Sequence, residues 1–477
     1  MATASAETSD ITWLPARQLA TQIADRRLSA ESLIRQCLDR INRLDSRVHA
    51  FITLAGEQAL AEAREADRAV ADNRHLGPLH GIPVALKDEI WTRDILSTAG
   101  SLIYRDFLPR HDAAIVQRLR AAGAIIIGKT QMPEFAMWPR SVNRLVEEAR
   151  NPYDNGRIAG ASSGGSAVSV ATGMVPLAVG SDGGGSVRIP AALCGVIGLH
   201  PTPGLVPDQY TFSYSPHASL GPMARTAGDT ALLLQVMADP QCRAVDYSAV
   251  LADGIEGLKV AWTGDFGWIP ADTRVIESAR RAALRLREAG AIVEEPTVQI
   301  DDIWPAFSVY TRGFARYEAG VSVPFVQSDD NTARCLASPE LLMPGVADLL
   351  SAPPPSAAEY RRAKAAIERA RAHLETLFAR YDVICSPTMA TVAPPIPEGW
   401  GHPYADAHMG THYTSVVNVA HGTAASYPCG LVDGLPAGLQ IMAPGRREDL
   451  VLRMCRALEL IQPWSLRPPA NRSKNTR

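Results

Sequence analysis

Residues 160–198, GASSGGSAVSVATGMVPLAVGSDGGGSVRIPAALCGVIG, place two clusters of serine and glycine on either side of an apolar run from Ala167 to Val179. The first cluster is Ser162-Ser163-Gly164-Gly165-Ser166, and the second is Gly180-Ser181-Asp182-Gly183-Gly184-Gly185-Ser186. Glycine tolerates backbone angles that other residues avoid, so the N–H groups of Gly183, Gly184, Gly185 and Ser186 can converge on one point. Converging N–H groups beside a hydroxyl suit an enzyme that attacks a carbonyl and holds the resulting oxyanion. Composition leaves a second reading open, because ordinary loops are also rich in glycine and serine.

Upstream, a Gly77-Pro78-Leu79-His80-Gly81 turn precedes a short apolar strand, Ile82 to Leu86, that ends in Lys87-Asp88. A serine hydroxyl is a weak nucleophile and needs a base, and a lysine serves only when burial makes it neutral near pH 7. Lys87 is placed to meet that condition, although a lone lysine is also commonly a solvated surface charge. Neither cluster matches a phosphate-binding glycine loop, G-x-x-x-x-G-K-[ST] or G-x-G-x-x-G between strand and helix. His402, Asp406, His408 and His412 form a competing metal candidate. Pro403 and Gly410 argue against a helix there, and no H-E-x-x-H occurs. A Ser-His-Asp triad has eleven histidines to draw on but no G-x-S-x-G elbow.

Along the rest of the chain, residues 12–72 read as helices with short breaks. Helix 112–122 and strand 124–127 follow, then a proline-rich loop over 201–222. Helix 228–237, strand 259–263, helix 272–289 and strand 291–293 continue the alternation. Phe307, Tyr310, Phe314 and Tyr317 at 3-4-3 spacing predict a helix with an aromatic core face. Residues 326–355 read as irregular, and Ser356 with Glu359 forms a capping-box pattern opening a helix to about residue 380. A strand over 382–385, a Pro/Gly-rich stretch over 386–412, strand 438–442 and helix 448–461 complete the reading. No repeat or composition shift divides the chain, so one large α/β domain is expected.

With 477 residues, 46% hydrophobic and 20% charged, the chain can bury a large core. A formal charge of −3 gives no field suited to nucleic acid or an anionic membrane. The seven cysteines, Cys37, Cys194, Cys242, Cys335, Cys385, Cys429 and Cys455, are odd in number, and no C-x-x-C pair occurs, which disfavours a disulfide framework. The N-terminus lacks a secretory h-region, and no apolar run is long enough to span a bilayer. A cytoplasmic protein acting on small molecules is expected.

Residues 160–202 resemble the long Gly/Ser signature of the amidase signature family, and GPLHGIPVALKD resembles the segment carrying that family's lysine. LSAESLIRQCLDRI, Thr98–Ser101, DAAIVQRLRAAGAIIIGKTQMPEFAM, GPMARTAGDTALLL, CSPT and GLPAGLQIMAP resemble further family blocks in the same order. The resemblance implies one α/β domain over 1–477 with a central mixed β-sheet flanked on both faces by helices. It divides into a helical region (12–72), a signature core (77–235), a variable substrate side (265–412) and a terminal strand-helix unit (413–465). It further implies a Ser–cisSer–Lys triad of Ser186 as nucleophile, Ser162 as relay with a cis peptide bond and Lys87 as base. Gly183, Gly184 and Gly185 would form the oxyanion hole, supported by Ser163, Asp182 and Arg188.

No metal or organic cofactor is implied. The expected activity is hydrolysis of small apolar or aryl amides, with carbamates (urethanes) and esters as variants, by a monomer or homodimer. The alternative is a glutamine-dependent amidotransferase A-type subunit in a hetero-complex. Met132, Trp138, Tyr210 and Phe212 are the candidate pocket residues. The chain departs from the family pattern at Gly183, Trp138, His200 and Asn418–Thr423, positions that bear on loop and pocket shape.

Overall fold

Apolar segments distributed over most of the chain form one mixed sheet. In this computed structural model the described residues are 10–74, 77–209, 211, 215–243, 245–318, 329–404, 411–464 and 467–469. Their strands are β1 (Phe51–Leu54), β2 (Pro83–Lys87), β3 (Ile125–Thr130), β4 (Leu177–Asp182), β5 (Ile197–His200) and β6 (Ser219–Ala224). β7 (Lys259–Trp262), β8 (Ile292–Glu294), β9 (Val383–Pro387), β10 (Thr423–Val432) and β11 (Leu435–Ala443) follow. Their order across the sheet is β1-β3-β2-β4-β6-β5-β10-β11-β9-β7-β8. β2 runs parallel to β3 and β4, and β7 runs parallel to β8 and β9, while the remaining pairs are antiparallel. The expected α/β domain with a central mixed sheet and flanking helices is therefore present.

The central strands are buried along their length, and β2, β3, β4, β5, β6, β9 and β11 contain no exposed residue. Burial on both faces explains why they read as continuous apolar runs rather than alternating ones. The helices that cover them are amphipathic, as in Ala30–Val48, whose Leu33, Ile34, Cys37 and Ile41 are buried at helical spacing. Ser29 caps that helix by accepting from Ser32 N, and Ser356 with Glu359 forms the expected capping box on Ala357–Phe378. Among the described residues, no helix is long and apolar enough to cross a membrane.

Three segments depart from the sequence reading. β1 interrupts the N-terminal helices, paired antiparallel to β3. Within 326–355, expected to be irregular, Asp329–Leu336 and Pro344–Ser351 are helical. The end of the loop read over 201–222 belongs to β6, which lies between β4 and β5. Tertiary pairing outweighs the turn-forming Gly221 and Pro222 there.

Candidate active site

The two Ser/Gly clusters flank one helix and one strand. Residues after Ser163 form the helix Gly164–Ala171, and the chain returns through β4, whose last residue is Asp182. Ser163 ties the clusters together: its N–H donates to Ser186 O at 3.0 Å, and its Oγ donates to Ser181 O at 3.2 Å and accepts from Ser181 N at 3.3 Å. A Cβ at Gly180 would come within 2.5 Å of Ser163 Oγ, so this close approach requires glycine. The peptide bond between Ala161 and Ser162 is cis, as the family resemblance implied for Ser162.

Lys87 closes β2, which lies parallel beside β4 with Leu86 opposite Val179. That register sets the ammonium level with Ser181. Lys87 Nζ donates to Ser162 Oγ and to Ser181 Oγ, each at 2.7 Å, and lies 3.1 Å from Glu89 Oε1. Lys87 and Glu89 are both fully buried. Burial pushes the Lys87 pKa below its ordinary value, opposed first by the Glu89 carboxylate and then by Asp182. Beside them, Lys129 on β3 donates to Ile90 O and to Ser97 Oγ, the latter at 2.7 Å. Burial pushes Lys129 down to about 8 against the pull of Asp88 and Glu89.

Asp182 and Arg188 brace the turn that carries Ser186. Arg188 Nε and Nη2 donate to Asp182 Oδ2 and Oδ1 at 2.9 and 2.8 Å, a bidentate contact between two fully buried side chains. Arg188 also donates to Gln440 Oε1 at 2.7 Å and Asn418 Oδ1 at 2.5 Å, so β11 and the helix His412–Val419 help fix it. Burial alone would raise the Asp182 carboxyl, but Arg188 and then His200 hold it well below the usual carboxylate range. His200 itself is driven down to about 4 by burial, so it is neutral near pH 7.

The oxyanion loop differs from expectation at Gly185. Its N–H donates to Asp182 Oδ1 at 2.7 Å, so this amide belongs to the brace rather than to an oxyanion hole. The amides of Gly183, Gly184 and Ser186 donate to no other group among the described residues. Thr414 Oγ1 donates to Gly184 O at 2.6 Å and fixes the orientation of that peptide.

Ser162 and Ser186 line one cavity of about 320 Å³, walled mainly by Met137, Trp138, Ile189, Trp304, His402 and Tyr404. Trp138, one of the four candidate pocket residues, lies in this wall. Met132 does not: it is fully buried outside the cavity wall, its backbone carbonyl accepting from Asn143. Tyr210 and Phe212 lie outside the described residues. Phe307, read as core, packs its ring against Gly184 and stacks on Trp304, so one end of that aromatic face borders the Gly183–Ser186 loop.

Asp406 and His408 of the metal candidate also lie outside the described residues. Among those described, no group of three or more His, Cys, Asp or Glu is placed to hold a metal ion. The residues that sequence reasoning missed are Glu89, Thr414, Gln440, Trp304 and Tyr404. Glu89 lies in a turn that follows β2, closed by Ile90 N–H donating to Lys87 O at 3.0 Å, and the strand-end reading of Lys87 gave no signal for it.

The arrangement supplies a buried lysine joined to a serine hydroxyl, a second serine in the same cavity and unspent amides beside it. A family model described as Amidase matches residues 32–452. The chain is 34% identical over 484 aligned residues to the A subunit of the glutamyl-tRNA(Gln) amidotransferase from Moorella thermoacetica, covering 96% of this chain and 99% of that protein. The native peptide amidase from Stenotrophomonas maltophilia superposes with a TM-score of 0.80 at 30% identity, covering 97% of this chain and 98% of that one. A 6-aminohexanoate cyclic dimer hydrolase superposes with a TM-score of 0.81 at 26% identity, covering 96% and 99%.

Proposed function

Because the chain belongs to the amidase signature family, whose members act on C–N bonds, we propose that it hydrolyses small apolar or aryl amides through an acyl-enzyme on Ser186. Neutral Lys87 takes the proton of Ser162 Oγ as Ser162 takes that of Ser186 Oγ, and Ser186 Oγ bonds to the carbonyl carbon. The oxyanion is held by the amides of Gly183, Gly184 and Ser186; loss of one such donor costs about 3 kcal/mol of transition-state stabilisation. The tetrahedral intermediate collapses as the C–N bond breaks, and the proton held on Lys87 returns through Ser162 to the departing amine. Water then adds to the ester carbonyl, giving its proton to the same relay, and the acid leaves as Ser186 regains its hydrogen. Esters and carbamates meet the same machinery.

The observation that carries the substrate class is the cavity wall. Apolar and aromatic side chains dominate it, and no Asp, Glu, Lys or Arg is among the described lining residues. Free glutamine would bring an ammonium and a carboxylate into that wall, and buried charges without partners are strongly disfavoured. The second reading is a glutamine-dependent amidotransferase A-type subunit. It is favoured by the identity to the Moorella thermoacetica protein over nearly the full length of both chains.

The two readings separate when the purified chain is given 4-nitroacetanilide or glutamine. Release of 4-nitroaniline by the chain alone, with no ammonia from glutamine, is expected. Ammonia release from glutamine that needs a co-purifying partner, with no anilide turnover, would replace the first reading by the second.

A further inference from the structure

The cavity lined by Ser162 and Ser186 is walled in part by Trp138, and behind that indole stands a glycine. Gly345 lies in the first turn of the helix Pro344–Ser351 and is not among the described lining residues. A Cβ at Gly345 would come within 2.6 Å of Trp138 Cζ3, 3.2 Å of Cε3 and 3.3 Å of Cη2, so its three nearest atoms all belong to this one ring. The indole is therefore the partition between Gly345 and the cavity.

The backbone has no need of glycine there. Gly345 keeps helical angles with a negative φ, and alanine is the better helix former. What excludes a side chain at this position is the Trp138 ring.

The helix is held against that ring. Met343 N–H, just before its first turn, donates to Glu134 Oε2 at 2.6 Å, and Glu134 Oε1 accepts from Ser101 Oγ at 2.6 Å. Arg144 Nη1 donates to Leu342 O at 2.9 Å. Leu342, Met343, Val346 and Leu350 are buried in one apolar cluster with Tyr104 and Phe135. A close-packed cluster resists displacement when volume is added beside it. Trp138, by contrast, is half-buried, and it borders the cavity and the His402 ring, which it meets edge-on at 6.1 Å. Of the two neighbours of a new Cβ, the indole is the one that yields, and it yields into the cavity.

We propose that Gly345 is a positioning residue for Trp138: by leaving the indole room, it sets the breadth of the cavity and admits amides that carry a bulky aryl or branched apolar group. A side chain at this position would restrict the same cavity to small amides. This role rests on the amide-hydrolase reading above and adds size selection to it.

The test compares N-phenylacetamide with N-(4-tert-butylphenyl)acetamide, each measured by calorimetry on Ser186→Ala protein so that turnover plays no part. Both are expected to bind. Adding Gly345→Ala is expected to weaken the tert-butyl compound by about tenfold or more and to leave N-phenylacetamide little changed. With Trp138→Leu also present the partition is gone, and Gly345→Ala is expected to change neither affinity. A general loosening of the helix would persist in that background, so its silence reports the contact between the two residues.

Exclusion of the tert-butyl compound from the Ser186→Ala protein itself, a ratio of affinities unmoved by Gly345→Ala, or the same selective loss with Trp138→Leu present would overturn this role. Wild-type hydrolysis is followed separately by release of the corresponding aniline. Size selection without aniline release would leave the role of Gly345 standing and overturn the hydrolase reading, and aniline release with an unmoved ratio would do the reverse.

Discussion

At the scale of single residues, the proposed chemistry turns on a lysine whose surroundings pull in two directions. Removal from water favours neutral Lys87, whereas the Glu89 carboxylate 3.1 Å away, and Asp182 beyond it, favour the ammonium. Burial is the larger effect, so kcat/KM should rise with pH along an acidic limb that lies below the ordinary lysine value of about 10.4. Glu89→Gln removes a charge that raises the Lys87 pKa, so less alkaline solution suffices to deprotonate it and the limb should move to lower pH. A pH–rate profile of the variant reads this directly; a limb that stays put or moves upward contradicts the assignment. Lys87, Ser162 and Ser186 stood out in the sequence because glycine clusters and a strand end marked them, whereas Asp182 and Arg188 entered through the resemblance to the amidase signature family. Asn418, Thr414 and Gln440 were not, since their role comes from contact with Arg188 and Gly184 across more than two hundred residues of chain.

At the scale of elements, the turn between β4 and the helix Arg188–Cys194 is pinned by the helix His412–Val419. Gly185 has φ of +124°, and a Cβ there would lie 2.1 Å from Thr414 Oγ1, whose hydroxyl holds Gly184 O. Gly185→Ala must therefore displace either the turn or that helix. A stability loss of about 1–3 kcal/mol is expected, together with at least about a tenfold loss of kcat. Gly183→Ala is the comparison, because a Cβ at Gly183 meets its nearest atom at an ordinary 3.5 Å and should destabilise much less. Urea melts and steady-state assays of both variants check this, and equal destabilisation would contradict the packing argument. Elements with strong local signals were legible: helix Glu448–Ile461 and the capped helix Ala357–Phe378 lie where periodicity and the capping box placed them. β10 was not, because TAASYPCGLV contains Pro428 and Gly430 and becomes a strand through pairing with β5 and β11. β1 was hidden by its four-residue length between two strongly helical patterns.

At the scale of the whole molecule, the sheet brings a buried lysine and two serines together from distant parts of the chain. β2 and β4 are neighbouring parallel strands, and Lys87 and Asp182 are their last residues, so the candidate site lies beyond the carboxyl ends of those strands. Binding crevices in open α/β sheets commonly occupy that position. One α/β domain was foreseeable from the alternation of elements, but the strand order was not, since β4 pairs with β6 before β5. The proposed acyl-enzyme on Ser186 is tested on the whole folded chain. Wild-type protein turning over 4-nitroacetanilide is quenched in acid, digested and mapped by mass spectrometry, beside Ser186→Ala protein treated in the same way. An acetyl group is expected on the peptide containing Ser186, together with loss of nearly all 4-nitroaniline release in Ser186→Ala; near wild-type release by that variant would rule out Ser186 as the acyl carrier.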